Sequence, residues 1–382
     1  MNLSPRIAVA CSGLGHVQRG IESWASDLAQ ALRRTGADVT LFSGASLDGA
    51  IALPTFRRTG RTAVALATGA RRLGGWRYGM GSPYDVEQTS FAVALWQRIS
   101  SGFDILHVQD PMIAIWLQRA HCAGLSRPKV IYANGTGETA SVMRRFDALQ
   151  FLTKAAADSW VPQKPSGQAI FTIPNFIDTK RFSPGDQAAS RARFGLPRDR
   201  TIILCCAAIR RFHKRIDVLL SEFANACRRT DAMLLIAGGR ESDTDALIAE
   251  GSALLGERVR FLPDLPRDAM PDLYRAADAF VLPSLHEMFG IVLLEALATG
   301  LPVLCNDTQD FRAIAGPGGR YGDFGARDGL ARGLTDLLDP MLRATTARAA
   351  RAHVERHFSE AAVMGSITAM YRSVHAASSH VR

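Results

Sequence analysis

The sequence predicts an α/β protein of two Rossmann-like lobes, and three observations carry that expectation. At 382 residues the chain exceeds the size at which a single hydrophobic core keeps growing, so two domains are expected. In both halves short apolar, β-branched runs alternate with longer amphipathic ones, the pattern of repeated βαβ units. Between the halves lies TKRFSPGDQ (179–187), polar and containing Pro and Gly, which places the boundary near residue 180.

In the first half the strands are expected at RIAVAC (6–11), DVTLF (38–42), DILHVQ (104–109) and KVIYAN (129–134). The segment from Gly20 to Arg34 puts Ile21, Trp24, Ala25, Leu28 and Leu32 on one stripe, which predicts a helix packed by that face. In the second half TIILCCAAI (201–209), AMLLIAG (232–238), RVRFL (258–262), DAFVLPS (278–284) and LPVLCND (301–307) are the expected strands. Helices are expected over 215–229, 243–256 and 289–300. Parallel strands joined by helices imply right-handed crossovers and a ligand crevice at the strands' C-terminal ends.

Composition is ordinary for a folded protein, and the apolar run at the N-terminus is too short for a secretory signal. No later segment offers about 18 uncharged apolar residues, so a cytoplasmic chain is expected. The six cysteines show no Cys-x-x-Cys spacing; Cys11, Cys205, Cys206 and Cys305 fall in apolar, strand-like runs and are expected as buried thiols. Residues 1–180 carry 19 Lys/Arg against 12 Asp/Glu, which is +7 of the chain's +9. Much of the excess lies between Asp48 and Asp85, where Arg57, Arg58, Arg61, Arg71, Arg72 and Arg77 have no acid among them. Such a segment suits peripheral contact with an anionic membrane through 57–77 or with a phosphorylated acceptor, and equally suits a solvated arginine-rich face. No aromatic platform or recognised motif accompanies the charge, so nucleic acid is not expected as a partner.

The stretch LHEMFGIVLLEALATGLPVL (285–304) sets two carboxylates, Glu287 and Glu295, among apolar residues. With VLPS closing a strand and LHEMFG as a turn, a helix is expected to begin near Phe289 or Gly290. Glu295 would then lie about one and a half turns inside the helix, roughly 8 Å along its axis, too far from Glu287 for a close acid/base couple. Between them, the free N–H groups of Met288, Phe289, Gly290 and Ile291 at the helix start make an anion site, and Gly290 lets a phosphate approach the backbone. The glutamates would accept hydrogen bonds from hydroxyls on either side. A sugar, a diphosphate and a ribose satisfy that order.

The span from Glu287 to Glu295 resembles the E-x7-E motif of retaining glycosyltransferases of the GT-B fold, specifically glycosyltransferase family 4. TIPNFIDTKRF (172–182), HKRIDVLLSEF (213–223), LLIAGG (234–239), VRFLPDLPRDAMPDLYRAADAFVLPS (259–284) and EALATGLPVL (295–304) agree with it in the family's order. The resemblance covers essentially the whole chain and is strongest from 172 to 307. It implies two lobes facing across a cleft, an acceptor lobe (1–180) and a nucleotide-sugar lobe (181–356). A last helix near SEAAVMGSITAMYRSV (359–374), within 357–382, would cross back onto the first lobe. The implied reaction moves a sugar from a UDP- or GDP-sugar to a hydroxyl of a glycan, lipid-linked or small-molecule acceptor, with no metal and no cofactor; the basic 57–77 segment tilts the acceptor toward a cell-envelope polysaccharide.

The resemblance also assigns roles. Glu287 would contact hydroxyls of the donor sugar, Phe289 and Gly290 would present N–H groups to the diphosphate, Glu295 would bind the ribose, and Lys214 would neutralise the leaving diphosphate. The family usually has an arginine five residues before that lysine, where this chain has Ile209. Arg210 or Arg211 is expected to supply the charge, and because adjacent strand residues face opposite ways only one of them can. The glycine-rich turn CSGLGHVQRG (11–20) would lie near donor phosphate and acceptor, with Gly15, His16, Arg19 and Gly20 as candidates; loop and cap roles fit His16 and Arg19 equally. In ANGTGE (133–138) Asn134 stands where many relatives carry a histidine, and Asn134 and Glu138 are cleft candidates. His107 and Asp110 in LHVQDP are further polar residues at a strand end, although a histidine within a strand is more often a core group.

Other classes fare worse. The glycines at 13, 15 and 20 do not give G-x-G-x-x-G, because position 18 is Gln18, and DVTLFSG lacks the acid that would hold an NAD ribose, which disfavours a dehydrogenase. Asp243-Thr244-Asp245 matches a metal-binding D-x-D, but its place at the start of an amphipathic helix suggests N-capping. There is no Gly-x-Ser-x-Gly and no P-loop. The remaining alternative is a non-catalytic sugar-nucleotide or glycan-binding relative.

Overall fold

The computed structural model describes residues 4–377 apart from Gln18 and Arg229. It divides into two compact units, one of residues 1–174 with 363–382 and one of residues 175–362. The first carries a seven-stranded sheet of β1 (Ile7–Cys11), β2 (Val39–Ser43), β3 (Ile51–Ala52), β4 (Ile105–Val108), β5 (Lys129–Ala133), β6 (Ala148–Phe151) and β7 (Ala169–Thr172) in the order β3-β2-β1-β4-β5-β6-β7. The second carries β8 (Ile202–Cys206), β9 (Met233–Gly238), β10 (Val259–Pro263), β11 (Ala279–Leu282), β12 (Val303–Asn306) and β13 (Gly319–Gly322) in the order β10-β9-β8-β11-β12-β13. Every pairing in both sheets is parallel.

Helices cover both faces of a parallel sheet, so its central strands are buried throughout. All five residues of β1 and all five of β8 are buried, and around them Phe91, Leu95 and Phe146 in one unit and Leu219, Phe223 and Leu247 in the other complete the cores. Chain order reverses between β1 and β4 in the first sheet and between β8 and β11 in the second. Open α/β sheets bind ligands outside the carboxyl ends at such a reversal. The loops after β1, β8 and β11 are the ones in which the sequence placed most of its candidates.

All nine expected strands form, within one to three residues of their expected ends, and the helix Gly20–Arg34 has its expected bounds. The pattern does not announce β3, β6, β7 or β13. β3 is two exposed residues, and the other three carry a polar or glycine residue: Gln150 in β6, Thr172 in β7, and Gly319 and Arg320 in β13. The division between the units falls between Pro174 and Asn175, ahead of the polar stretch 179–187. That stretch is hydrogen-bonded within the second unit through its backbone: Arg275 Nε donates to the Ser183 carbonyl at 2.9 Å and Arg351 Nη1 to the Phe182 carbonyl at 3.4 Å.

The last helix, Glu360–Ala376, joins the first unit from Val363 onward. There Tyr371 Oη stands 2.8 Å from His107 Nδ1, and Lys129 Nζ donates to the Val374 carbonyl at 3.3 Å. Residues 378–382 of the expected closing segment lie outside the described residues. His107 is fully buried, and desolvation lowers its pKa to about 3, so it is a neutral core group.

Candidate active site

In the second unit the polar centre forms where the loop after β8 meets the loop after β11. Ile209, where the resemblance expects an arginine, is fully buried in the hydrophobic core with Ile216 and Leu219, and its N–H donates to the Gly239 carbonyl at 3.0 Å. Beyond it the chain makes a tight excursion in which His213 (φ 69°) and Arg215 (φ 50°) both adopt the left-handed conformation, unfavourable for non-glycine residues. The Arg215 guanidinium secures it by donating to the Phe324 carbonyl at 3.0 Å and the Pro283 carbonyl at 3.4 Å. Lys214 is thereby turned toward the second loop, where Nζ donates to Glu287 Oε1. His213 Nε2 is 3.8 Å from Glu287 Oε2. Burial lowers the His213 pKa and Lys214 lowers it further, against the opposing pull of Glu287.

The second loop is held from below by Asn306, whose Nδ2 donates to the Leu285 carbonyl at 3.0 Å while its Oδ1 accepts the Phe324 N–H at 2.9 Å. Phe289 turns its side chain inward, edge-on to Phe358 with centroids 6.1 Å apart. Gly290 takes φ 78° and caps the helix Ile291–Ala298. A Cβ added there would meet no atom closer than 3.4 Å, so the left-handed backbone rather than space demands glycine. Among the described residues, the backbone N–H groups of Met288, Phe289, Gly290 and Ile291 find no acceptor. N–H groups left without acceptors at a helix start are able to hold an anion such as a phosphate. The helix begins at Ile291, one or two residues later than expected, so Glu295 stands about one turn in, roughly 6 Å along the axis. Glu295 is buried and accepts a hydrogen bond from Tyr274 Oη at 2.6 Å.

The two arginines beside Ile209 part company. Arg211 turns to the outer surface, where Nη2 pairs with Glu250, Nη1 lies 3.8 Å from Asp217, and the backbone N–H donates to Asp243 Oδ2 at 2.9 Å. Arg210 is half-buried, its Nε has no partner, and its charge lies close enough to His213 to help lower that group's pKa. The D-x-D pair behaves differently from a helix cap. Asp243 makes no side-chain cap bond and instead accepts the Arg211 N–H, while Asp245 pairs with Arg240 at 2.6 Å. Thr244 between them donates from Oγ1 to the Ile209 carbonyl at 2.8 Å. All three residues therefore brace the loops after β8 and β9.

The first unit holds the other candidates, and a residue outside that set organises them. Glu87, in the helix Pro83–Ile99, is fully buried, with Oε1 accepting from Arg58 Nε at 2.9 Å and Oε2 accepting the Arg58 N–H at 2.6 Å. His16 Nε2 stands 3.0 Å from the same Oε2. Burial pushes the Glu87 pKa up, but the bonds from His16 and Arg58 overcome it and hold the group at about 2. Next to it Ser12 Oγ and Tyr84 Oη each donate to Asp110 Oδ1 at 3.0 Å. Desolvation raises the pKa of both Asp110 and Glu22. Arg58, counted with the surface arginines from sequence, is drawn inside, its guanidinium 4.1 Å over the Tyr84 ring.

Gly15 (φ 95°) and Gly20, the first residue of its helix, are exposed, and Arg19 accepts the Ser23 N–H through its carbonyl. Asn134 and Glu138 both line a cavity of about 190 Å³ with Met143, Phe151 and Trp160. Asn134 Oδ1 accepts the Gly137 N–H at 3.3 Å, Glu138 Oε1 accepts from Thr136 Oγ1 at 3.0 Å, and burial raises the Glu138 pKa. Sequence reasoning missed Glu87, Arg58 and Tyr274. For Glu87 the signal available was an acid among Val86, Phe91 and Leu95 on a buried helix face.

Two family models meet end to end on this chain: Glycosyltransferase Family 4 over residues 18–181 and Glycosyl transferases group 1 over residues 186–353. The chain belongs to glycosyltransferase family 4. Its relatives within the family include a D-inositol 3-phosphate glycosyltransferase of Nocardia farcinica, 39% identical over 146 residues. That match covers 36% of this chain and 32% of the relative. The same-named protein of Saccharomonospora viridis is 31% identical over 255 residues, covering 62% of this chain and 58% of the relative. The aligned part therefore spans a third to somewhat over half of those relatives' length. Among solved structures, sucrose-phosphate synthase from Thermosynechococcus elongatus superposes with TM-score 0.77 at 20% identity, over 98% of this chain and 100% of that one. Anabaena Alr3699/HepE in complex with UDP and glucose gives 0.73 at 14% identity, over 97% and 100%. Identities this low establish the GT-B fold of this family 4 member and no more.

Proposed function

We propose that this family 4 protein is a retaining glycosyltransferase that moves a sugar from a UDP- or GDP-sugar to an acceptor hydroxyl, using its second unit as the donor lobe and its first as the acceptor lobe. The observation that carries this is the run of four unpartnered N–H groups at Met288–Ile291, with the Lys214–Glu287 pair on one side and Glu295 on the other. The diphosphate takes the N–H groups, the sugar hydroxyls take Glu287, and the ribose takes Glu295. As the glycosidic bond breaks, negative charge grows on the leaving diphosphate, where a fixed cation and a helix N-terminus help most. Lys214 supplies that cation and Arg210 the second, since Arg211 is engaged by Glu250 and Asp217. We read the step as a front-face displacement in which the leaving phosphate accepts the acceptor's proton, since Glu287 is engaged by Lys214.

The acceptor is a glycan or lipid-linked glycan of cell-envelope biosynthesis, met at the inner face of the membrane. Exposed Phe56, Val64, Leu66, Leu73 and Tyr78 lie among exposed Arg57, Arg61, Arg71, Arg72 and Arg77, a mixture of apolar and cationic groups suited to an anionic bilayer. No described helix is long and apolar enough to cross a membrane. A mass-spectrometric donor screen, with calorimetry against UDP, GDP, ADP and NAD, tests the enzyme. Turnover of one UDP- or GDP-sugar with retained anomeric configuration is expected, whereas UDP or GDP binding without turnover under any acceptor would leave only the binding relative. Sedimentation with phosphatidylglycerol vesicles but not phosphatidylcholine vesicles is the result expected of the basic face.

A further inference from the structure

The ribose end of the donor site depends on a residue outside the E-x7-E span. Tyr274, in the helix Met270–Ala276, is fully buried, and its ring is wedged against Phe182 and Phe280 with centroids 5.9 and 5.8 Å away. Its hydroxyl donates to Glu295 Oε2 at 2.6 Å. Burial, with Cys206 and Glu295 alongside, raises the phenol's pKa far above its ordinary value, so the tyrosine stays a donor and the carboxylate an acceptor. Cys206, at the end of β8, lies beside the phenol. The Glu295 carboxylate is thus held from a second helix of the unit.

We propose that Tyr274 is a positioning residue of the donor site: its hydroxyl aims the Glu295 carboxylate at the ribose hydroxyls, and so sets the preference for a ribonucleotide over a deoxyribonucleotide donor. This rests on the donor-site reading given above. A carboxylate tethered by one oxygen has lost most of its rotation before the ligand arrives, so less freedom is surrendered on binding. Tyr274→Phe removes the tether and keeps the ring in its packing.

The experiment is calorimetry of whichever of UDP and GDP binds, together with its 2′,3′-dideoxy counterpart, on wild type, Tyr274→Phe, Glu295→Gln and the double variant. Wild type is expected to prefer the ribose form. Tyr274→Phe should lose about 5- to 20-fold in affinity for that form, a part of the worth of a hydrogen bond to a charged group, and stay within about 2-fold for the dideoxy form. Glu295→Gln should abolish the preference, and adding Tyr274→Phe should change nothing more. An equal loss for both ligands, or none for either, overturns the positioning role. Should Tyr274→Phe fail to fold, Tyr274→Met replaces it, with a ribose-specific loss again expected and an equal loss for both ligands, or none, counting against the proposal. Wild type binding neither nucleotide removes the donor-site reading itself, and wild type binding both forms equally removes the ribose role of Glu295, so these failures are told apart.

Discussion

Each unit keeps a glutamate at the carboxyl end of its sheet, and the two are treated in opposite ways. Glu87 is closed off: both oxygens are occupied by Arg58 and His16, and nothing is left to offer a ligand. Glu287 is paired with Lys214 beside four N–H groups that lack acceptors. A saturated buried network fixes a loop, because breaking any member strands a charge in low dielectric. An unsaturated row of donors on a rigid turn has been ordered in advance for something that arrives later. The glycine-rich loop of the first unit is thus shaped by its ion pairs, and the glycine turn of the second, on the function proposed above, by its ligand.

The comparison is broken most directly at Glu87. Glu87→Ala should destabilise the protein by about 3 kcal/mol or more, since it strands Arg58 in a buried setting. Because the folded pKa of Glu87 is about 2 against an ordinary 4.5, its contribution is complete above pH 4.5 and disappears as pH falls toward 2. Thermal unfolding of wild type and variant from pH 7 down to 3 should show the gap narrowing only below pH 4.5; a gap constant across that range would mean the carboxylate's charge is not what holds the loop.

At the open site the effect should fall on rate. Lys214→Ala is expected to lower turnover by about 10²-fold with little change in unfolding midpoint, as for a charge that acts on the leaving group in the transition state. An unchanged rate removes Lys214 from the chemistry. The neighbouring arginines sharpen the point: Arg210→Ala should cost about 10-fold in turnover, and Arg211→Ala, which only opens an exposed ion pair, less than about 2-fold. The reverse ranking in the same assay would assign the second cation to Arg211. The effect on stability in the second unit is smaller than at Glu87: at Gly290→Ala the left-handed backbone should cost about 1 kcal/mol in a denaturant titration although a methyl group has room.

Much of this was legible in the residues. Alternating apolar runs gave both parallel sheets, because a strand buried on both faces is mostly apolar, and the same rule hid β3, which is two exposed residues, and β6, β7 and β13, which carry polar or glycine residues within their four. The Glu287-to-Glu295 span disclosed a strand–turn–helix junction, and the N–H groups expected to be free there have no acceptor among the described residues, since glycine placement and helix starts are local chemistry. Arg210 and Arg211 were indistinguishable in sequence because which side chain turns outward depends on Glu250 and Asp217, acids supplied by other helices. Arg58 counted as one more surface arginine until Glu87, 29 residues on, drew it inside. Tyr274 lay in plain view within a matching stretch, but its bond to Glu295 spans 21 residues and two helices. The sequence by itself determined the longer elements, the strand–helix alternation that implies parallel pairing, and the local geometry of the glycine turns, all of which are read from residues near one another in the chain. Only the tertiary structure decided which charges are spent on one another and which groups remain unpartnered, because hydrogen bonds and ion pairs are made between residues that the chain's fold alone brings together.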